Sequence, residues 1–114
     1  YAFDSIAGCL FKPTKARQFP FRHNLKSALS YFVGNDSEFP EDNGFALQPW
    51  TEISFKNSGY LLFEETALAM GQYQFTAQSG DKVEVEYTFG YVRSDLGCLK
   101  INLHHSSMPF SPNS

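Results

Sequence analysis

The sequence predicts an α+β domain in which one amphipathic helix precedes a meander of four long antiparallel strands. Two observations carry this prediction. Apolar residues recur at helical spacing over residues 25–33, whereas from residue 50 onward they alternate with polar residues or form short strand-like runs. The chain of 114 residues has the size of one domain, so residues 1–114 are treated as a single unit.

Composition restricts the partners of this domain. Hydrophobic residues make up 42% of the chain, which is enough for a packed core, and the net charge of −3 comes with no basic run. This balance argues against nucleic acid and against an anionic membrane surface as partners. No apolar run approaches the ~20 residues that a membrane-spanning helix needs. Cys9 and Cys98 have no metal-type or redox spacing, so a disulfide and two free thiols both remain open.

The helix has clear start and stop signals. Residues 9–11 form a short apolar run, a strand or extended segment closed by Pro13. Asn24 is a good N-cap, and Gly34 is a typical helix stop. Tyr31 lies roughly 130° from the centre of the apolar stripe, so we expect it to face solvent or something other than the main core. The stripe at i, i+3, i+4, i+7 and i+8 consists of Leu25, Ala28, Leu29, Phe32 and Val33.

Four strands follow the helix and its loop. The predicted spans are residues 51–63, 66–76, 82–92 and 98–107, with a bulge or kink at residues 57–59 in the first. Turns are predicted at residues 79–81 and 95–97. One face of such a sheet is apolar, and a nine-residue helix covers too little of it. A missing N-terminal helix or a partner subunit would supply the remaining cover.

The last strand concentrates the reactive side chains. It ends in two histidines and two serines, residues 104–107. Because neighbours in a strand point to opposite faces, His104 shares a face with Ser106, and His105 shares the other with Ser107. Each pair could hold a small polar molecule and move a proton. An exposed polar strand end is the alternative interpretation.

Two other kinds of chemistry fit less well. A metal site could combine His23, one of the paired histidines and a glutamate, but no spacing in the sequence requires such a site. Adjacent strand residues point to opposite faces, so His104 and His105 cannot both easily bind one ion. A serine–histidine hydrolase would need a nucleophile elbow and a nearby acid, and the sequence shows neither.

Six blocks of sequence, in order, resemble the iota-class carbonic anhydrases. The similarity runs from about Leu10 to Pro109, nearly the whole chain, and is more specific than the final block alone, which SnoaL-like proteins and kinase association domains approximate. The blocks are LFKPTKA at 10–16, ALSYFVG at 28–34, GFALQPW at 44–50, ALAMG at 67–71, VEYTFGY at 85–91 and INLHHSS at 101–107.

The resemblance implies a cystatin-like cone, a curved antiparallel sheet packed on helices, which is often a homodimer. It implies the reversible hydration of carbon dioxide to bicarbonate. Members of this family carry a long helix before the first block. Only nine residues precede Leu10 here, so we expect an N-terminally truncated domain. Location would be the plastid for an algal sequence and a soluble compartment for a bacterial one.

Some members of this family work without metal, using a threonine, a tyrosine, a histidine and a serine. The resemblance implies that the catalytic residues of this chain are those at the matching motif positions, namely Thr14, Tyr31, His104 and Ser106. It also implies that no cofactor is needed.

The strand pattern gives a competing assignment within the last block. His105 and Ser107 continue the apolar face of Leu99, Ile101 and Leu103, so they are the candidate substrate-binding pair. A bulge in the strand would reconcile the two assignments. The alternatives to a metal-free enzyme are a zinc or manganese anhydrase and a non-catalytic SnoaL-like module for ligand binding or oligomerisation.

Overall fold

A five-stranded curved sheet carries one α-helix in the computed structural model, which describes residues 1–3, 8–47, 50–94 and 97–112. The strand order is β1-β5-β4-β3-β2. The elements are β1 (Leu10–Lys12), α1 (Leu25–Val33), a 3-10 turn (Phe45–Leu47), β2 (Trp50–Leu62), β3 (Thr66–Ala77), β4 (Lys82–Arg93) and β5 (Leu99–Ser107).

The sheet is mixed, which corrects the prediction of a four-stranded antiparallel sheet. Strands β2 to β5 form the predicted antiparallel meander, and β1 adds a fifth strand parallel to β5, with Phe11 opposite His104. A three-residue strand is too short to show a sequence period, so its pairing could not be read from the sequence. The position of β1 matters because it brings the segment carrying Thr14 beside the end of β5.

Helix α1 begins and ends as predicted but buries a partly different face. The Asn24 side chain accepts the Ser27 N–H, and Gly34 ends the helix at φ 68°. The buried residues are Ser27, Ala28, Ser30 and Tyr31, whereas Leu25, Leu29 and Val33 of the predicted stripe are exposed. The Ser30 hydroxyl donates to the buried Asp42, and the Ser27 carbonyl oxygen accepts from the buried Arg22. Of the predicted stripe, only Ala28 and Phe32 pack on the core, so the prediction holds for these two residues alone.

Three register shifts shape the sheet, the first of them at the start of β2 between Trp50 and Glu52. The second lies between Asn57 and Gly59 of β2, where the sequence predicted a bulge. The third lies between β4 and β5, where Gly90 pairs with Leu103 and Tyr91 pairs with Ile101, leaving one residue of β5 in excess. A Cβ atom on Gly90 would lie 2.9 Å from Leu103 Cβ, closer than side chains normally approach, so this position favours glycine.

The apolar face of the sheet is only partly covered. Aromatic residues of β3 and β4 form one buried cluster, centred on Tyr73, Val85 and Tyr87. On β2 the residues of the same face are exposed, namely Ile53, Phe55, Tyr60 and Leu62.

Over the described ranges, no helix has the length and apolar character to cross a membrane. Cys9 and Cys98 are free thiols. Asp95 and Leu96 of the last predicted turn lie outside the described residues.

Candidate active site

The site is organised around His104 and Ser106 on β5. Because the extra residue at the β4–β5 bulge shifts the strand, His104 and Ser106 continue the inner face on which Ile101 lies. They are 7% and 1% exposed. His104 Nε2 lies 2.6 Å from Ser106 Oγ. Of the two histidine–serine pairs, the structure therefore buries this one.

Tyr73 of β3 completes this polar cluster, and sequence reasoning missed it. Its hydroxyl lies 3.1 Å from His104 Nε2 and 3.5 Å from Ser106 Oγ. The Tyr73 ring stacks on Tyr87 at 4.9 Å between centroids, which fixes its position on the sheet. Tyrosines alternate with other aromatic residues on this face, so nothing in the local sequence distinguishes Tyr73.

Thr14 and Tyr31 approach the same space from the opposite side. The Tyr31 hydroxyl oxygen accepts the backbone N–H of Lys15 at 3.1 Å, which leaves its own proton free to be donated. Burial raises the pKa of Tyr31 above its ordinary value, although hydrogen bonds from Lys15 and the Thr14 side chain act in the opposite direction. Tyr31 therefore stays a neutral hydroxyl donor at physiological pH.

A small cavity of about 70 Å³ lies between these two groups of residues. A single water occupies roughly 10–15 Å³ of such volume, so the cavity holds a few water-sized molecules. It has aromatic walls and no charged side chain. The lining residues are Phe11, Pro13, Thr14, Tyr31, Phe32, Phe45, Tyr73, Phe75, His104 and Ser106.

Burial sets the charge of His104. The loss of water lowers its pKa to about 4, and the neighbouring His105 contributes in the same direction. The ring is packed between Phe89, whose centroid lies 4.2 Å away, and Phe11 at 5.0 Å. At neutral pH the imidazole is therefore uncharged, with one nitrogen available as a proton acceptor.

Tyr1 contacts the other nitrogen of the same ring. Its hydroxyl lies 2.6 Å from His104 Nδ1, and its ring packs on Phe11 and Phe32. Sequence reasoning also missed this residue, because its partner lies 103 positions away along the chain.

A buried ion pair holds the segments that carry Thr14 and Tyr31. Arg22 binds both carboxylate oxygens of Asp42 at 2.8 and 2.7 Å, and donates to the Ser27 carbonyl oxygen at 2.7 Å. Ser30 donates to the same carboxylate at 2.5 Å. Burial opposes ionisation of Asp42, but the hydrogen bonds from Arg22 and Ser30 hold its pKa below the ordinary value. Helix α1 is thus tied to both flanking loops.

The predicted substrate-binding pair lies away from this cavity. His105 and Ser107 lie on the opposite face of β5. Neighbouring strand residues point to opposite faces, and the bulge turns His104 and Ser106 inward. They border an open groove of about 570 Å³ on the outer face, with Thr88 and Gln72. The structure does not bring them to the cavity that Thr14 and Tyr31 line.

The predicted metal alternative involved His23. Together with His104 and His105 it borders a cavity of about 230 Å³ beside β1. Within the described ranges, no group of three or more histidine, cysteine, aspartate or glutamate side chains is placed to hold a metal ion.

Sequence comparison relates the chain to one enzyme family. A family profile described as metal-independent carbonic anhydrase matches residues 1–108. A metal-independent carbonic anhydrase from Nostoc sp. is 42% identical over 102 residues, which is 89% of this chain and 50% of the relative. The chain thus spans half the length of this relative.

Solved structures support the same relationship. The fold matches the iota-carbonic anhydrase from a cyanobacterium, crystallised with bicarbonate, at a TM-score of 0.90 and 38% identity, covering 97% of this chain and 68% of that one. A putative calcium/calmodulin-dependent protein kinase II association domain from Xanthomonas campestris matches at a TM-score of 0.57 and 23% identity, covering 90% and 67%. An NTF2-like protein from Salmonella enterica matches at 0.54 and 11%, covering 91% and 75%. The last two likenesses concern the fold alone.

Proposed function

Because the chain belongs to the metal-independent carbonic anhydrase family, we propose that it catalyses the reversible hydration of carbon dioxide to bicarbonate. The observation that carries the proposal is the neutral His104, whose Nε2 faces Ser106 in a buried, uncharged cavity. The cyanobacterial structure with a TM-score of 0.90 contains bicarbonate, which supports the same substrate here.

His104 acts as the base in this proposal. The oxygen of a water molecule forms a bond to the carbon of carbon dioxide, and the water gives a proton to Nε2, directly or through Ser106 Oγ. The step converts carbon dioxide and water into bicarbonate and one proton. General base catalysis contributes roughly 10²–10⁴-fold in rate, so we expect a modest enzyme rather than a diffusion-limited one.

Hydroxyl groups stabilise the charge that develops on the substrate oxygens. Tyr31 can donate its proton to the substrate, because its oxygen already accepts from the Lys15 N–H and from the Thr14 side chain, so Thr14 positions this donor on the cavity wall. Tyr73 supplies a further hydroxyl beside Ser106. Donors fixed by packing need not reorient during the reaction, which is the basis of oxyanion stabilisation.

The uncharged lining favours turnover in the hydration direction. Aromatic walls suit the apolar substrate, whereas the product is an anion that finds no cation among the residues lining the cavity. Bicarbonate is therefore held by hydroxyl donors alone and dissociates readily.

The family description implies that the reaction needs no metal. A zinc enzyme lowers the pKa of a bound water to about 7, and in this protein the base and the hydroxyl donors would have to supply that assistance.

The decisive experiment measures the carbon dioxide hydration rate of the purified protein after exhaustive chelation, with metal analysis of the same sample. The proposal expects activity that chelation does not reduce and that disappears in H104A. H105A is the matched control, since its imidazole lies on the other face of the strand. Activity restored only by added zinc or manganese would refute the metal-free mechanism.

We also propose that the exposed part of the apolar face is covered in the working protein. The exposed Ile53, Phe55 and Leu62 lie on the face that elsewhere carries the aromatic core. A second copy in a homodimer or the long family helix packed into a cone would bury them. Light scattering distinguishes the two, because a homodimer doubles the mass, whereas a covering helix leaves a monomer whose Phe55 is protected from solvent.

A further inference from the structure

We propose that Lys12 is a positioning residue, whose ammonium group holds the backbone of Ser106 so that the serine hydroxyl stays against His104 Nε2. The inference rests on the proposed function, because it concerns the same histidine–serine pair. Among the described residues, those that line the cavity of about 70 Å³ do not include Lys12. The lysine therefore acts through Ser106 rather than on the substrate.

Lys12 lies where β1 ends beside β5. It is the last residue of β1 and pairs with His105, so Ser106 lies one position beyond the last pair. Pro13 follows in the chain and has no N–H to donate across to β5. Lys12 Nζ donates instead to the Ser106 carbonyl oxygen at 3.1 Å. The lysine side chain thus extends the contact between the two strands to the residue that carries the hydroxyl.

The surroundings of Ser106 offer little to replace this donor. Ser106 is 1% exposed, so bulk water has little access to its carbonyl oxygen. The lysine itself is half-buried, and burial lowers the pKa of its ammonium group. A hydrogen bond from a charged donor is roughly twice as strong as one between neutral groups. Removal of the ammonium group leaves a buried acceptor without this bond, which favours a shift of the backbone.

The position of the Ser106 backbone determines the reach of the hydroxyl. One rotatable bond separates the serine backbone from Oγ, so Oγ moves with the backbone. Ser106 Oγ lies 2.6 Å from His104 Nε2 and 3.5 Å from the Tyr73 hydroxyl. Hydrogen bonds of this kind need both a short distance and good alignment. A misplacement of ~1 Å in such a group can reduce a rate by about 10²-fold.

The segment that contains Lys12 also forms the opposite wall of the cavity. The Phe11 ring stacks on His104 at 5.0 Å between centroids, and Pro13 and Thr14 line the cavity. Lys12 lies between Phe11 and Pro13 in the chain, so its contact with Ser106 ties this wall to β5. Loss of the contact should loosen both walls together.

The test compares K12M, which keeps the length of the side chain without a donor, with K12R, which keeps a charged donor. We expect kcat/KM for carbon dioxide hydration to fall by about 10–10²-fold in K12M. K12R should recover most of this loss, because its guanidinium can donate to the same carbonyl oxygen. K82M, which removes an exposed lysine at the start of β4, is the matched control and should behave like the wild type. K12Q, whose amide is too short to reach Ser106, replaces K12M if that variant does not fold.

Two kinetic results would overturn the proposal. One is a folded K12M or K12Q protein with the kcat/KM of K82M. The other is an equal loss in K12M and K12R, since that would show that packing of the aliphatic stem matters and the donor does not.

Nitrogen-15 NMR of the His104 ring gives a readout that is independent of hydration activity. The Nε2 resonance of K12M should move toward its position in S106A, which lacks the hydroxyl, even if the protein proves not to be a carbonic anhydrase. An Nε2 resonance that stays at its wild-type position would refute the positioning role.

Discussion

His104 Nε2 and Ser106 Oγ lie 2.6 Å apart, two residues apart on one strand, and both side chains line a small cavity with aromatic walls. Side chains at i and i+2 share a face of a strand, so the backbone alone brings the two groups together. What makes the pair chemically useful is the bulge before it, which turns both side chains to the aromatic face rather than to the open groove.

The first prediction concerns the base. H104A should lose roughly 10²–10⁴-fold of the carbon dioxide hydration rate, measured by stopped flow with a pH indicator. H105A should retain most of the activity, because its side chain lies on the opposite face and is exposed. Full activity in a folded H104A protein would move the catalytic role to His105.

The second prediction concerns acid stability. Unfolding returns the pKa of His104 from about 4 to about 6.5, so the unfolded chain binds the extra proton between these values. Stability from this group is therefore complete above pH 6.5 and is lost as the pH falls toward 4, by about 3 kcal/mol. Urea unfolding at several pH values measures the slope, and H104Q should show a flatter one. Equal slopes would contradict the depressed pKa.

The third prediction tests Tyr73. Y73F removes a hydroxyl that contacts both His104 and Ser106, while the ring keeps its stacking on Tyr87. One hydrogen bond contributes about 0.5–1.5 kcal/mol, so we expect kcat to fall by up to about tenfold. Thermal unfolding should change little. Y60F, which removes an exposed hydroxyl on β2, is the control. Activity equal to that of the control would remove Tyr73 from the site.

Local patterns were sufficient to predict most elements. Helix α1 was predicted at its observed bounds because its cap, its apolar spacing and its terminal glycine agree. The four long strands were predicted within about two residues, since strand ends are the least regular part of a pattern. A bulge in β5 determines whether His104 or His105 faces the cavity. The sequence allowed such a bulge, but its position depends on the pairing of β5 with Gly90 of β4.

Long-range contacts account for what could not be predicted. Tyr1 and Tyr73 reach His104 from positions 103 and 31 residues away, and no periodicity encodes such distances. The inward face of α1 was only partly predicted, for a related reason. Its orientation follows from the bond between Ser30 and Asp42, which no apolar stripe reveals.

The last prediction concerns the ion pair that fixes this orientation. Arg22 and Asp42 are fully buried at the side chain and joined by two hydrogen bonds, so D42N leaves the buried guanidinium with only the longer carboxylate contact, to Glu41 at 3.8 Å. Breaking a buried pair in this way costs about 3–5 kcal/mol, which should appear as a large fall in the unfolding midpoint.

The exposed pair of Lys26 and Glu38, at 3.0 Å, provides the matched control, and K26A should leave the midpoint nearly unchanged. Because Ser30 and the Ser27 carbonyl share the network, residual folded D42N should also bind substrate more weakly through a displaced Tyr31. A midpoint equal to that of K26A would show that the pair does not hold α1 in place.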